Sequence, residues 1–272
     1  MAASATQRGG PPRHSLRCPT VNASNAIADA RHRLGIDIGG TGMKAAIVDV
    51  STGTLVSERT RIATPTPATP TAMADVVVQL VSQHRWDGPV GVAFPAIVHN
   101  GVVRSAANID ASWLDVDADA TFSAATGLAV HMVNDADAAG LAEMHWGAGR
   151  DRAGVVIMLT FGTGIGSGLF LDGVLVPNTE LGHVELDGSD AEVRAAASAR
   201  DRDDISWKLW AERVEHYLRH IELLFSPDLF ILGGGVSKVA PKWVPRIDIA
   251  TEVVVAELFN NAGIAGAALV AD

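Results

Sequence analysis

Cysteine is almost absent. Cys18 is the only one in 272 residues, so no intrachain disulfide and no cysteine-rich zinc site can form. A lone cysteine fits a reducing cytoplasm. Positive charge is also scarce: 21 Lys and Arg stand against 31 Asp and Glu, for a formal net charge of −10. That balance argues against a general nucleic-acid coat, and a polyanionic ligand would need a local basic groove. No apolar run reaches the roughly 18 residues of a membrane span. Residues 1–33 are rich in Pro, Ser, Ala and Arg, with Asp29 their only acid and no hydrophobic segment. A flexible tail is expected there, not a secretory signal. The chain also lacks a G-x-x-x-x-G-K-[ST] loop and a G-x-G-x-x-G fingerprint, which excludes the two commonest nucleotide motifs.

What is present is a large apolar share, 48%, and 27 glycines clustered beside apolar runs. This suits one large domain or two lobes. From Leu34, "LGIDI" reads as a buried strand, "GGTG" as a tight turn and "MKAAIVDV" as a second strand. "TLVSERTRI" reads as a third strand and "TPTPATP" as a loop. Met73, Val76, Val77, Leu80 and Val81 then recur at helical spacing. "PVGVAF" is a buried strand, "DADATFSAATG" a helix ended by Gly127, and "LAVHMV" a strand leading into a helix from Asp135 to Trp146. The pattern then repeats. "GVVIMLTF" is a strand, "GTGIGSG" a glycine turn, and "LFL" and "VLV" are strands. Trp207, Trp210, Val214, Tyr217, Leu218, Ile221 and Leu224 form one helical stripe over 204–225, and "PDLFILGGG" is a buried strand. The expectation is an α/β, duplicated mixed-sheet fold in two lobes. An N-terminal lobe takes 34–133 and a C-terminal lobe 134–258. A small-residue helix in 259–272 packs back toward the first lobe.

Five stretches could carry chemistry. Asp37 ends an apolar strand before Gly39, Gly40 and Thr41, and an inward carboxylate there needs a metal, a water or a donor. Thr160 to Gly168 makes a hairpin tip of N–H groups and hydroxyls, which suits phosphate. One glycine hairpin is weak evidence, but two in corresponding places of a duplicated fold are stronger. Asn134, Asp135 and Asp137 can simply start a helix, as cap and first-turn anions. Asp135 adjoins the strand end and is the better candidate to face a cleft. Glu180 and His183 between them can donate and accept, which suits sugar hydroxyls, although a loop histidine is more often a local partner. Gly233, Gly234 and Gly235 end the last buried strand, and ligands gather at such ends. Lys238 and Lys242 follow, by default as a solvated face.

Taken in order, these stretches resemble the sugar kinases of the ROK family, in the actin and hexokinase-like (ribonuclease H-like) superfamily. "DIGGTGMK" is similar to its first phosphate motif and "LTFGTGIGSG" to its second. "ND" is similar to the catalytic pair, "ELGH" to the sugar motif and "ILGGG" to the nucleotide motif. Many members follow the sugar motif with zinc-binding cysteines; "VELDGSDAEVRAAASAR" has none, so no structural zinc is expected. This version resembles the polyphosphate-dependent glucokinases.

The resemblance implies transfer of a phosphoryl group from ATP or inorganic polyphosphate to the 6-hydroxyl of glucose, and of mannose. Asp135 would be the general base. Asn108, Asn134, Asp135, Glu180, His183 and Glu192 would hold the sugar. Gly39, Gly40, Thr41, Gly42, Lys44, Thr160, Gly162, Thr163 and Gly164 would hold donor phosphates. Gly233, Gly234, Gly235 and Lys238 would meet a nucleotide, and Asp37 would hold Mg²⁺. A polyphosphate track would draw on Lys44, Arg150, Arg152, Lys208, Lys238 and Lys242. The expected protein is cytoplasmic, a monomer or homodimer, with no nucleic-acid or membrane partner. An ATP-only glucokinase and an amino-sugar kinase are alternatives. Repression of transcription would need a helix-turn-helix of about 60 residues, longer than the 1–33 segment. A sugar sensor without catalysis does not explain an intact Asp135 and two phosphate hairpins.

Overall fold

The computed structural model describes residues 31–106 and 109–271. Most of the expected tail, 1–30, and Asn108 lie outside the described residues. The first sheet grows from β1 (His32–Gly39) and β2 (Gly42–Asp49), an antiparallel pair turned at Gly40 and Thr41. Leu34, Ile36 and Ile38 alternate onto one buried face, as the period of a strand requires. The expected third strand is two pieces, β3 (Thr54–Leu55) and β4 (Thr60–Ile62), both paired to β2. At the break, the Ser57 hydroxyl accepts the Ile47 N–H at 2.9 Å, where a strand would offer a carbonyl.

α1 (Pro70–His84) begins inside the stretch expected as a loop, because Pro70 at the end of that stretch can open a helix. The Thr69 hydroxyl accepts the Ala72 N–H, proline opens the helix, and Met73, Val76, Val77, Leu80 and Val81 are buried. β5 (Val90–Phe94), a small hairpin of β6 (Val98–His99) and β7 (Val102–Val103), α2 (Ala118–Thr126) and β8 (Val130–Asn134) complete this half. The sheet order is β3-β2-β1-β5-β8, with β1, β5 and β8 parallel. α3 (Asp135–Trp146) then leads to the second half.

There, β9 (Val155–Phe161), β10 (Ile165–Leu171) and β11 (Val174–Val176) repeat the opening meander. A short hairpin of β12 (Glu185–Leu186) and β13 (Ser189–Asp190) follows, then α4 (Glu192–Ala195), α5 (Ala197–Arg202) and α6 (Trp207–Phe225). β14 (Leu229–Gly234) and β15 (Glu252–Val255) complete the order β11-β10-β9-β14-β15, which repeats the β3-β2-β1-β5-β8 path of the first sheet without a counterpart of β4. The expected duplication is present.

Two expectations change in this half. The glycine turn covers only Gly162 to Gly164, and Ile165 to Gly168 already belong to β10. Gly166 serves packing: a Cβ there would lie 2.8 Å from the Ala136 Cβ, so its absence lets β10 approach α3. The apolar stripe of α6 is buried from Trp210 to Ile221, but Leu224 is 55% exposed, because Phe225, four residues after Ile221, packs against the core in its place.

α7 (Ala262–Leu269) joins the halves. It packs on β1, β5 and α3, and a Cβ at Gly91 would overlap the Ala267 carbonyl. Each lobe has its own core, and a third apolar cluster runs between them through Ala139, Phe170, Ile231 and Ile264. No helix of the described residues is long and apolar enough to cross a membrane.

Candidate active site

Four strand ends open into one cleft of about 690 Å³. β1 brings Gly39 and Gly40, β8 brings Asn134 and Asp135, β9 brings Thr160 with Gly162, Thr163 and Gly164, and β14 brings Gly234 and Gly235. Lys44, Glu180, His183 and Glu192 also line it. Two backbone turns rich in N–H donors therefore face a group of carboxylates. Such a surface binds a phosphate chain on one side and a polyol on the other.

Asp135 opens α3 at the cleft floor. Burial, then the nearby charge of Asp37, then that of Glu180, push its carboxyl up to about 7, against the pull of backbone N–H groups at the helix start. Asp137 is fully enclosed instead, and its Oδ2 accepts the Asn178 N–H at 2.7 Å. Burial pushes Asp137 up to about 6. The two acids point different ways, as their spacing on a helix requires. Asn134 is the cap of α3: its Oδ1 accepts the N–H groups of Ala136 and Asp137, and its Nδ2 donates to the Ala96 carbonyl. One amide hydrogen of Asn134 remains for a ligand.

Glu180 is pushed up by burial and by Glu192, while His183 pulls it down. His183 is held by a residue not singled out from sequence. Asp190 Oδ2 lies 2.8 Å from its Nδ1, brought back by the β12–β13 hairpin, and this bond raises the imidazole above its ordinary range. Nε2 is then the ring atom left for a ligand. Glu192 accepts the Ile165 N–H at 2.9 Å, so it braces the second hairpin while lining the cleft. Pro95, Ala96, Ile97 and Ser105 form the opposite wall and were also not foreseen. Their one sequence signal is a proline directly after a buried strand.

Some expected contacts lie off the cleft surface. Asp37 is not part of the lining, and its Oδ2 is paired at 2.9 Å with Nζ of Lys44, which is. Thr41 and Gly42 stand on the outer side of the first hairpin, where Arg61 covers them and donates to the Thr41 carbonyl at 2.6 Å. Gly233 is enclosed against Met158 and Ala256, and Lys238 is exposed outside the lining. Of the candidates for a basic track, Arg150 pairs with Asp151 and Arg152 with Glu252, and neither lines the cleft.

Comparison with known proteins agrees with this geometry. Residues 33–199 match the model of the ROK family. A polyphosphate glucokinase of Mycobacterium tuberculosis is 48% identical over 252 residues, 92% of this chain and 95% of that protein. The crystal structure of an inorganic polyphosphate/ATP-glucomannokinase from Arthrobacter sp. strain KM is 51% identical. It superposes with a TM-score of 0.84 over 88% of this chain and 97% of that one. A ROK family glucokinase from Streptomyces griseus, solved with glucose and AMPPNP, is 25% identical with a TM-score of 0.76, over 88% and 99% of the chains. The two-lobed fold is thus the actin and hexokinase-like one. In sequence as in architecture, this chain belongs to the ROK family.

Proposed function

We propose that this chain is a hexose kinase that moves a phosphoryl group from inorganic polyphosphate or ATP to the 6-hydroxyl of glucose, and of mannose. One observation carries the chemistry: a carboxyl pushed up to about 7 stands at the floor of a cleft walled by two glycine hairpins. Ionised Asp135 takes the proton of the sugar hydroxyl as its oxygen attacks phosphorus, and the bond to the donor's bridging oxygen breaks. Glu180, His183 and Glu192, with Asn134 and Asn108, hold the remaining hydroxyls so that attack is in line. The backbone of Gly39, Gly40 and Gly162 to Gly164, with Thr160 and Lys44, takes up phosphate charge, while the Gly162 N–H closes the turn onto the Gly164 carbonyl. Thr41 and Gly42 shape the first hairpin. Gly234 and Gly235, with Gly233 and Lys238 behind them, meet the nucleotide when ATP is the donor.

Asp37 suits Mg²⁺. Among the described residues no three potential ligands converge, and Mg²⁺ commonly takes one or two carboxylates plus substrate phosphates and water. When bound, it supplies charge neutralisation at the donor. The lobes divide at 34–133 and 134–258, with 259–272 returning to the first. The sequence similarity to a polyphosphate glucokinase and to a polyphosphate/ATP-glucomannokinase supports both donors.

A polyphosphate chain needs basic side chains beyond the hairpins. Arg61 flanks the first. The second is tied to α5 by Ser198, which donates to the Gly162 and Thr163 carbonyls. From α5, Arg200 stacks over Trp207 at 4.0 Å with Lys242 nearby. A coupled assay with glucose, mannose and N-acetylmannosamine, each against ATP and polyphosphate, tests the proposal. Turnover of glucose with both donors is expected. Turnover with ATP alone, or only with the amino sugar, would select one of the alternatives.

A further inference from the structure

Asn178 stands between β11 and Glu180, outside the cleft lining. Its φ is +59°, in the left-handed region that asparagine tolerates better than most residues. Its backbone N–H is held by Asp137. Its side chain crosses to the other lobe and pairs with one residue twice. Nδ2 donates to the Val98 carbonyl at 2.9 Å, and Oδ1 accepts the Val98 N–H at 2.9 Å. Val98 begins the β6–β7 hairpin, and Ile97 just before it lines the cleft. On its far side, the 178–181 segment is pinned by Ser167, whose hydroxyl donates to the Thr179 carbonyl and accepts the Leu181 N–H.

The segment that presents Glu180 is therefore fastened to its own sheet by Ser167, to α3 by Asp137, and to the opposite lobe by the Asn178 amide alone among these contacts. The two bonds to Val98 copy the way a strand residue pairs with its neighbour, but they join separate lobes. Both bonds hold only while the two segments keep this separation, so an opening that parts Asn178 from Val98 would break both at once. We infer that Asn178 is a positioning residue, an interlobe latch that holds the Glu180 segment against the Val98 hairpin and favours the closed cleft. This rests on the hexose-kinase reading.

A latch makes a specific demand on kinetics. Weakening it lowers the fraction of protein in the closed state, so more sugar is needed to fill the site, while saturating sugar restores closure. Asn178→Gly is the test variant, because glycine keeps the left-handed backbone and the N–H to Asp137 but deletes both bonds to Val98. The glucose KM should rise about 10-fold, the worth of one to two net hydrogen bonds, with kcat within about 2-fold and the donor KM unchanged. An unchanged glucose KM would overturn the latch. So would a parallel loss of kcat, donor KM and melting temperature, which marks a merely structural role. Amide exchange over 96–104 gives a readout independent of turnover. It should be faster in Asn178→Gly than in the wild type, and equal rates would also overturn the inference. If the wild-type protein phosphorylates no hexose, the kinase reading fails while exchange still judges the latch.

Discussion

The carboxyl of Asp135 faces the cleft with Asp37 and Glu180 near it, whereas that of Asp137 turns back and accepts the Asn178 N–H. Asp135→Asn should keep the fold and glucose binding, measured by calorimetry, and lower kcat by about 10² to 10⁴-fold, the usual cost of losing a general base. Near-normal turnover would rule Asp135 out. The same substitution has a stability signature. Between the ordinary 3.8 and about 7, native Asp135 holds a proton that the unfolded chain has released. Stability therefore falls as pH rises through that window, and the cost is full above it. Asp135→Asn should melt higher than wild type at about pH 8, with the gap closing by about pH 4.

The catalytic pH profile follows from the same group. Without donor or sugar bound, kcat/KM should fall on the acid side with a midpoint near 7, because protonated Asp135 cannot accept the hydroxyl proton. Asp37 is the largest charge acting on it, so Asp37→Asn should move that acid limb to lower pH even as activity drops. An acid limb that stays in place would show that the Asp37 charge does not reach Asp135. Sequence exposed Asp135 because a carboxylate after an apolar strand is out of place there. Asp190 and Asn178 carried no such signal: both lie in polar loop sequence, and only chain reversal brings them to His183 and Val98.

Among the elements, glycines fall into two kinds that look alike in sequence. Gly162 has no atoms near the position of a Cβ, and its backbone lines the cleft. Gly91 lies directly against the backbone of α7. Gly91→Ala should cost about 1–3 kcal/mol in urea unfolding, the range for overpacking a tight interface. Gly162→Ala should leave that midpoint in place and raise the donor KM, since a methyl group then shields the hairpin N–H groups. Equal loss of stability in both would contradict this division. The body of α1 was legible from the five apolar residues that mark its buried face, but its start was not, because Thr69 and Pro70 read as the end of a proline-rich loop. The 54–62 stretch was not. Its β-forming composition suits a strand throughout, and only the Ser57 side chain, bonded across to Ile47, interrupts it.

Across the whole molecule, a net charge of −10 surrounds a site meant for a polyanion. The few cations near the cleft then matter more than their number suggests. Lys44 and Arg61 stand at the first hairpin, and Arg200 and Lys242 stand beside the second through Trp207. Polyphosphate-driven turnover should fall with added salt more steeply than ATP-driven turnover, because a longer anion touches more of these charges. Arg61→Ala together with Arg200→Ala should bring the two slopes together. Identical slopes in the wild type would remove the extended track.

The sequence by itself determined the duplicated strand–glycine–strand plan, the two lobes, the helix stripes and the acid that opens α3. Each depends on neighbours within a few positions, where periodicity and turn chemistry act. Only the tertiary structure decided that Arg150 and Arg152, in the turn between α3 and β9, stay out of the cleft lining, that Arg61 covers the first hairpin, and that Asn178 reaches Val98. Those outcomes depend on which strand ends the sheets bring together, and local pattern carries no record of contacts made across 80 residues of chain.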